Sequence, residues 1–401
     1  MGPHRRNIGL LRCLPAVSSA EFRFGESMQT ANDVVVKSGS IVVLRHFDVA
    51  YSIDLARVES LWATHAKTAS NRGRLLSVPE KAVAFGVPPV LLSLPPFAQH
   101  VGGRAVVVNA TARFYDFGVV VLAVRVPVAA MAWTDFVATV QAVEQAIGSV
   151  ARSGVWDSLL ADVRAIVEPA LLRPSSATLE EDYLLAVVHE LGEPLSAAAL
   201  QDRVDLVPLL SGEQRPLSDG ARRDLLRQSF SYYADDLVVL TWDRAFIYEP
   251  RGDSDVADVL EVANAQLLEL RYYDELLDAE LPRMYDLVEE ARGTASLLAA
   301  RRFAHLARRL YTLVAEVTEL TEKVDNALQV TEDVYLARIY ASALDLFRVP
   351  KLGAAVDRKL AIVRDTYAAL YDEASSSRAE LLELAIIFLI VIEIVLALLR
   401  V

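Results

Sequence analysis

The run Leu384-Ala385-Ile386-Ile387-Phe388-Leu389-Ile390-Val391-Ile392-Glu393-Ile394-Val395-Leu396-Ala397-Leu398-Leu399 decides how the rest of this 401-residue sequence is read. It carries a single charge, Glu393, and has no polar face for water, so it calls for lipid or a protein partner. Extended back to Leu381 it reaches nineteen residues. That is roughly 28 Å at ~1.5 Å per residue, close to the ~30 Å hydrocarbon core of a bilayer. The sequence therefore predicts a C-terminal transmembrane helix over 377–401, a single-pass tail anchor in membrane lipid. Arg364 and Arg378 precede the run and only Arg400 follows it, which places the N-terminal bulk in the cytoplasm. The alternative is the buried central helix of a soluble oligomer. A carboxylate inside such a run is costly unless paired. Glu393, with Glu383 about 15 Å earlier, is thus a candidate contact between helices of a homo-oligomer, hydrogen-bonded across it.

Composition narrows the function. The net charge is −13, leaving no basic excess to release counterions from nucleic acid, so no DNA partner is expected. One cysteine, Cys13, excludes an intramolecular disulfide framework and fits a reducing compartment. Arg5, Arg6 and Arg12 precede the first acid, Glu21, and Gly9, Arg12 and Cys13 break the apolar stretch a secretory signal would need. Residues 1–30 read as a disordered leader, with Met28 as an alternative start.

From 31 to 250 the texture is α+β. Ile41 to Phe47 reads as a strand and Asp54 to about Lys67 as a helix. Five prolines between Leu75 and Gly103 (Pro79, Pro88, Pro89, Pro95, Pro96) predict loop or irregular edge. Arg104 to Tyr115 and Phe117 to Val126, rich in β-branched and aromatic residues, predict a hairpin around Asp116. A helix capped by Thr134 or Asp135 follows to about Ile147. Strands are expected at Tyr183 to Glu190 and Leu237 to Tyr248. Strand pairs separated by helices suggest a ferredoxin-like mixed α/β domain.

After Pro250-Arg251-Gly252 the pattern becomes helical. Val256, Leu260, Ala263, Leu267, Leu270, Tyr273, Leu277, Leu281 and Met284 mark one buried stripe. Leu306, Leu310, Leu313, Val317, Leu320, Val324 and Leu328 mark a second, in 4-3 alternation. Gly293 separates the two, and Pro350 with Gly353 interrupts before a last helix. Residues 253–376 therefore read as a helical hairpin and stalk leading into the apolar tail.

Motifs of known chemistry are missing. Neither a GxxxxGK(S/T) loop nor a GxGxxG occurs, and no HExxH, paired Cys/His spacing or GxSxG is present. No cofactor or metal and no catalytic residue is expected. Asp235, Asp236 and Asp243 form the densest acidic cluster and could act in a cleft, although carboxylates at strand mouths more often solubilise them. Tyr232-Tyr233 and Tyr272-Tyr273 could stack on bases, with core packing the simpler reading.

Val262-Ala263-Asn264-Ala265-Gln266-Leu267-Leu268-Glu269-Leu270-Arg271-Tyr272-Tyr273-Asp274 resembles the hallmark segment of the required-for-meiotic-nuclear-division family, the YagE-like domain of unknown function. Asp333-Val334-Tyr335, Val356-Asp357-Arg358-Lys359-Leu360 and Arg378 to Glu383 are similar to further parts of it, so the resemblance covers about 250–401. It implies a membrane-anchored homo-oligomer, in eukaryotes at the mitochondrial inner membrane and linked to translation. Asn264, Gln266 and Arg271 lie in this segment and are candidates for polar contacts between the helical hairpin and the α/β domain. The reading is a non-catalytic, membrane-anchored homo-oligomeric scaffold or tether. A metal- or nucleotide-dependent enzyme and an RNA- or ribosome-associated protein are the alternatives.

Overall fold

The computed structural model describes residues 34–399, apart from 67–70, 73–82, 150, 152, 176–178, 214, 253–254, 293–295, 326–327 and 331–332. The expected leader and the alternative start at Met28 lie outside the described residues. The strands are β1 (Val35–Asp48), β2 (Ala50–Ile53), β3 (Asn71–Arg72), β4 (Val83–Phe85), β5 (Val90–Val101), β6 (Arg104–Phe114), β7 (Val119–Ala132), β8 (Leu171–Pro174), β9 (Glu180–Leu191), β10 (Ser229–Phe230), β11 (Leu237–Leu240), β12 (Arg244–Tyr248) and β13 (Leu328–Val330). The helices are α1 (Leu55–Ala66), α2 (Trp133–Ile147), α3 (Val155–Val167), α4 (Ala197–Arg203), α5 (Val207–Ser211), α6 (Asp219–Leu225), α7 (Val256–Arg292), α8 (Ser296–Asp325), α9 (Val334–Leu346) and α10 (Val349–Leu399).

Nine strands form one sheet in the order β10-β11-β12-β9-β1-β7-β6-β5-β3. β1 lies at its centre because its apolar run is buried on both faces. Ile41, Val43 and Phe47 point to one core, and Val42 and Leu44 to the other, as period-two alternation requires. Both neighbours of β1, β7 and β9, are antiparallel to it, whereas β12 joins β9 in parallel. β6 lies beyond β7, and α1 falls in the connection from β1. α2 and α3 fall in the connection from β7 to β9, which straddle β1.

The first face is covered by the short helices, whose Trp62, Phe136, Val140, Leu160, Leu200 and Leu209 share one buried core with Ile41 and Val43. The second face is covered by α7, with α8, α9 and α10 packed behind it through Leu310, Ile339 and Val356. Side chains of this size each contribute about 1.5–3 kcal/mol when fully buried. Helices therefore sandwich the sheet, which explains why its central strands lack a polar face.

Local chemistry sets the turns. The expected hairpin around Asp116 is β6–β7. Gly118 sits in its turn at φ +102°, where a Cβ would come within 1.9 Å of the Ala50 carbonyl oxygen. Pro95 and Pro96 fall inside β5, at the register shift between Leu94 and Phe97, a position that needs no ladder N–H. The stretch expected as one strand over Leu237 to Tyr248 is two, folded at Thr241–Asp243. The Thr241 hydroxyl donates to the Arg244 carbonyl at 2.8 Å and closes that turn. The first helical stripe is buried as expected: Val256, Leu260, Ala263, Leu267, Leu270, Tyr273, Leu277 and Met284 all lie in the second core. Leu328, expected to extend the second stripe, is in β13 instead, paired with β4. Pro350 lies in the first turn of α10, where a missing N–H costs nothing, and the helix runs on through Gly353.

The expectation of a transmembrane anchor is overturned. Among the described residues no helix is long and apolar enough to cross a membrane. Two acids interrupt the run that suggested it, and a carboxylate is costly in lipid. Glu383 and Glu393 confine the charge-free run to the nine residues Leu384–Ile392, roughly 14 Å of helix against a ~30 Å core. The single-pass localisation and the placement of the bulk in the cytoplasm fall with it. The end of α10 is nonetheless exposed on all sides, with Ile387, Phe388, Ile390 and Ile394 each at least half accessible.

Candidate functional site

Two features outside the apolar cores carry chemistry. The first is a cleft of about 150 Å³ where β11 and β12 meet the start of α9, lined by Tyr232, Tyr233, Asp235, Asp236, Glu249 and Tyr335 among others. Its walls are held by backbone capping. The Asp236 carboxylate accepts from the Tyr232 and Tyr233 amides at 2.7 and 3.2 Å. Asp333 caps α9 by accepting from the Tyr335 and Leu336 amides at 2.9 and 3.1 Å. The Arg251 guanidinium lies 4.3 Å over the Tyr233 ring. Burial, reinforced by the Asp236, Glu249 and Asp333 carboxylates, pushes the Tyr335 hydroxyl well above its usual range. The cleft is therefore negative and aromatic, but smaller than the ~300–1,000 Å³ of ordinary small-molecule sites.

The second feature is a layer of buried polar groups between the sheet and α7. Arg113 on β6 pairs with Asp258 at 2.6 Å and Glu261 at 3.3 Å. The Tyr115 hydroxyl donates to Glu261 at 3.0 Å. His46 is wholly buried, with Nε2 3.0 Å from the Glu261 carbonyl oxygen. Burial holds its pKa down at about 3, so the ring is neutral and Nε2 donates. Glu261 is pushed up to about 7 by burial, against the pull of Arg113. One helical turn or more further on, the Tyr273 hydroxyl donates to Glu269 at 2.6 Å.

The sequence-predicted acids do not act together. Asp235 and Asp236 line the cleft, while Asp243 sits at the opposite end of the short β11–β12 hairpin. There it pairs with Arg244 at 2.8 Å, whose buried guanidinium also meets Glu144 at 2.6 Å. Of the candidates on α7, Arg271 forms an ion pair with Glu181 on β9, linking helix to sheet. Gln266 accepts from the Tyr340 hydroxyl on α9 at 2.6 Å. Asn264 donates within its own helix, to the Leu260 carbonyl at 2.9 Å. Glu383 and Glu393 are exposed on the far part of α10. Tyr272 and Tyr273 meet edge to face, with ring centroids 5.6 Å apart, in the second core and its margin. Arg113, Glu261, His46, Asp48 and Arg244 were not legible from the sequence, since contacts such as Arg244–Glu144, Arg113–Asp258 and His46–Glu261 join residues 100, 145 and 215 positions apart. Among the described residues no group of three or more His, Cys, Asp or Glu is placed to hold a metal ion.

The architecture defines an α+β protein with one large mixed sheet between two helical layers. The chain belongs to the family described as "Uncharacterized protein MJ0711, N-terminal domain", which matches residues 38–255. It is similar to uncharacterized protein MJ0711 of Methanocaldococcus jannaschii, with 26% identity over 222 residues, 55% of this chain and 67% of that protein. No solved structure matches it significantly. The match spans the sheet and stops where α7 begins. This overturns the resemblance to the meiotic-division, YagE-like family, which rested on 250–401 and finds no support there. Its segments, such as Val262–Asp274, have the apolar spacing that a helix buried on all sides carries in any family. The mitochondrial and translation-linked expectations drawn from it lapse.

Proposed function

We propose that the protein is a non-catalytic scaffold that self-associates through the far part of α10. The observation that supports this is the exposure of apolar side chains around the helix from Ile386 to Leu396, including Ile387, Phe388, Leu389, Ile390 and Ile394. Exposed apolar surface of this extent marks an interaction site. Ile387, Ile390 and Ile394 follow the three–four spacing of a helix–helix seam, so a second copy of the same helix is the fitting occupant. Glu383 and Glu393 then flank that seam and contribute to its register. The globular part serves as the rigid body that such a contact would array. Its four central strands, β9-β1-β7-β6, have the order and split βαβ crossovers that favour a ferredoxin-like core. An enzymatic reading built on Asp235, Asp236 and Asp243 has less to support it, because the three are divided between a small cleft and a buried ion-pair cluster.

Cysteine cross-linking of the full chain tests the seam. In a Cys13→Ser background, Ile390→Cys is expected to form a disulfide-linked dimer under mild oxidation, while Tyr285→Cys, on the exposed side of α7, does not. Equal cross-linking at both positions, or at neither, would count against the reading.

A further inference from the structure

An open groove of about 920 Å³ runs between α7 and α8 on one side and Tyr51 and Arg173–Ser175 on the other. Arg173 ties its rim, pairing with Glu316 on α8 at 2.6 Å and lying 3.6 Å over the Tyr51 ring. Tyr272 and Tyr273 line the groove. Behind them, two carboxyl groups are almost fully enclosed: Asp48, at the end of β1, is 5% exposed and Glu269, on α7, is 2% exposed. Asp48 Oδ2 and Glu269 Oε1 have no hydrogen-bond partner among the described residues. Burying such oxygens without partners costs about 1–3 kcal/mol each, and more when charged.

We propose that Asp48 and Glu269 form one proton-binding site, reached from the groove through Tyr273, whose occupancy controls how firmly α7 and α8 dock on the sheet. With a proton added to each carboxylate, the site is neutral and the helices can close over it. With both protons lost, two negative charges are enclosed in the same interface, each with an oxygen that has no hydrogen-bond partner among the described residues. The surrounding groups do not relieve that state. From α7, the Tyr273 hydroxyl donates to Glu269 and favours its ionised form, but burial outweighs it, and Tyr272 and Tyr273 are themselves held neutral by burial. The Ser175 hydroxyl and the Ala50 amide favour ionised Asp48, as does Arg164 on α3, yet burial outweighs them and lifts Asp48 to about 7. Glu269 is driven well above the carboxylate range by burial first and the Asp48 charge second. Arg173 and Glu316 act on Tyr272 with opposite sign. Glu261, nearer the start of α7, is also raised to about 7, but Arg113 and the Tyr115 hydroxyl stay beside it as partners for its ionised form.

Hydrogen exchange of the full-length protein at about pH 6 and about pH 8.5, corrected for the intrinsic pH dependence of exchange, tests the site. We expect Leu267–Leu277 and the facing part of α8 to lose protection roughly tenfold or more at the higher pH. The double variant Asp48→Asn, Glu269→Gln should show equal protection at both. Equal protection in the unaltered protein, or an undiminished difference in the double variant, would overturn the proposal. Should that variant fail to fold, pH-difference infrared spectra of the unaltered protein decide the matter. A carboxylic-acid band that disappears between the two pH values, and still does so in Glu261→Gln, supports the site, and its absence from that variant refutes it.

Discussion

The first half of α7 and the last part of α10 invert each other. From Val256 to Leu270 nearly every residue of α7 is buried, including Glu261, Asn264, Gln266 and Glu269. From Ile386 to Leu396 the described residues of α10 are apolar but for Glu393, and all are exposed. The more polar helix is therefore the central one, and the more apolar helix is the one left outside. Burial follows from what the fold places opposite a helix. The polar groups of α7 can be enclosed because β1, β6, α9 and the helix itself offer partners: Arg113 for Glu261, Tyr340 for Gln266, Tyr273 for Glu269. Nothing in the described chain does the same for Ile387 or Ile390.

Substitutions that remove a partner from the buried region should break this comparison most severely. Arg113→Ala leaves Glu261 enclosed without its cation. It is expected to cost about 3–5 kcal/mol, the usual penalty for breaking a buried pair, as measured by urea denaturation. Arg113→Met with Glu261→Gln should recover much of that loss, which would show that the cost comes from the stranded charge.

The next effect depends on pH. Because the folded state raises Asp48 to about 7, its contribution to stability is full below the unfolded carboxylate pKa and is lost as pH rises toward 7. Asp48→Asn should therefore stabilise the protein at pH 8 by up to about 4 kcal/mol, and have little effect near pH 4. His46 works in the opposite sense. Its folded value is depressed to about 3, so its contribution is present above about 6.5 and falls away as pH drops. His46→Gln should flatten the acid limb of the stability profile between those two values, as followed by thermal unfolding across pH.

A smaller effect is expected at the helix–helix contact. Tyr340→Phe removes the 2.6 Å hydrogen bond to Gln266 and should cost about 1 kcal/mol. The smallest lies in the tail: Glu393→Leu should change the unfolding free energy by less than about 0.5 kcal/mol, as exposed substitutions do. It should still shift the balance between monomer and oligomer.

Much of the fold was legible because its signals are local. The alternation in Ile41–Phe47, the β-branched runs around Asp116 and the stripe from Val256 to Met284 each fix an element within a few residues. The fold at Thr241–Asp243 was missed because Leu237 to Tyr248 is apolar on both sides of a short polar turn. The candidate site was far less legible. Asp235, Asp236 and Asp243 are close in sequence but separated by a hairpin. His46 and Glu261 lie 215 positions apart and meet only because α7 crosses β1. The tail misled for a different reason: its hydropathy was real, but hydropathy alone does not distinguish lipid from a second protein surface.

Sedimentation equilibrium of the full-length protein over a wide concentration range, alongside the double variant Ile387→Glu, Ile390→Glu, tests self-association most directly. The account predicts a defined homo-oligomer for the unaltered chain and a folded monomer for the variant. A monomer at every concentration, or an oligomer that the two glutamates leave intact, would contradict it.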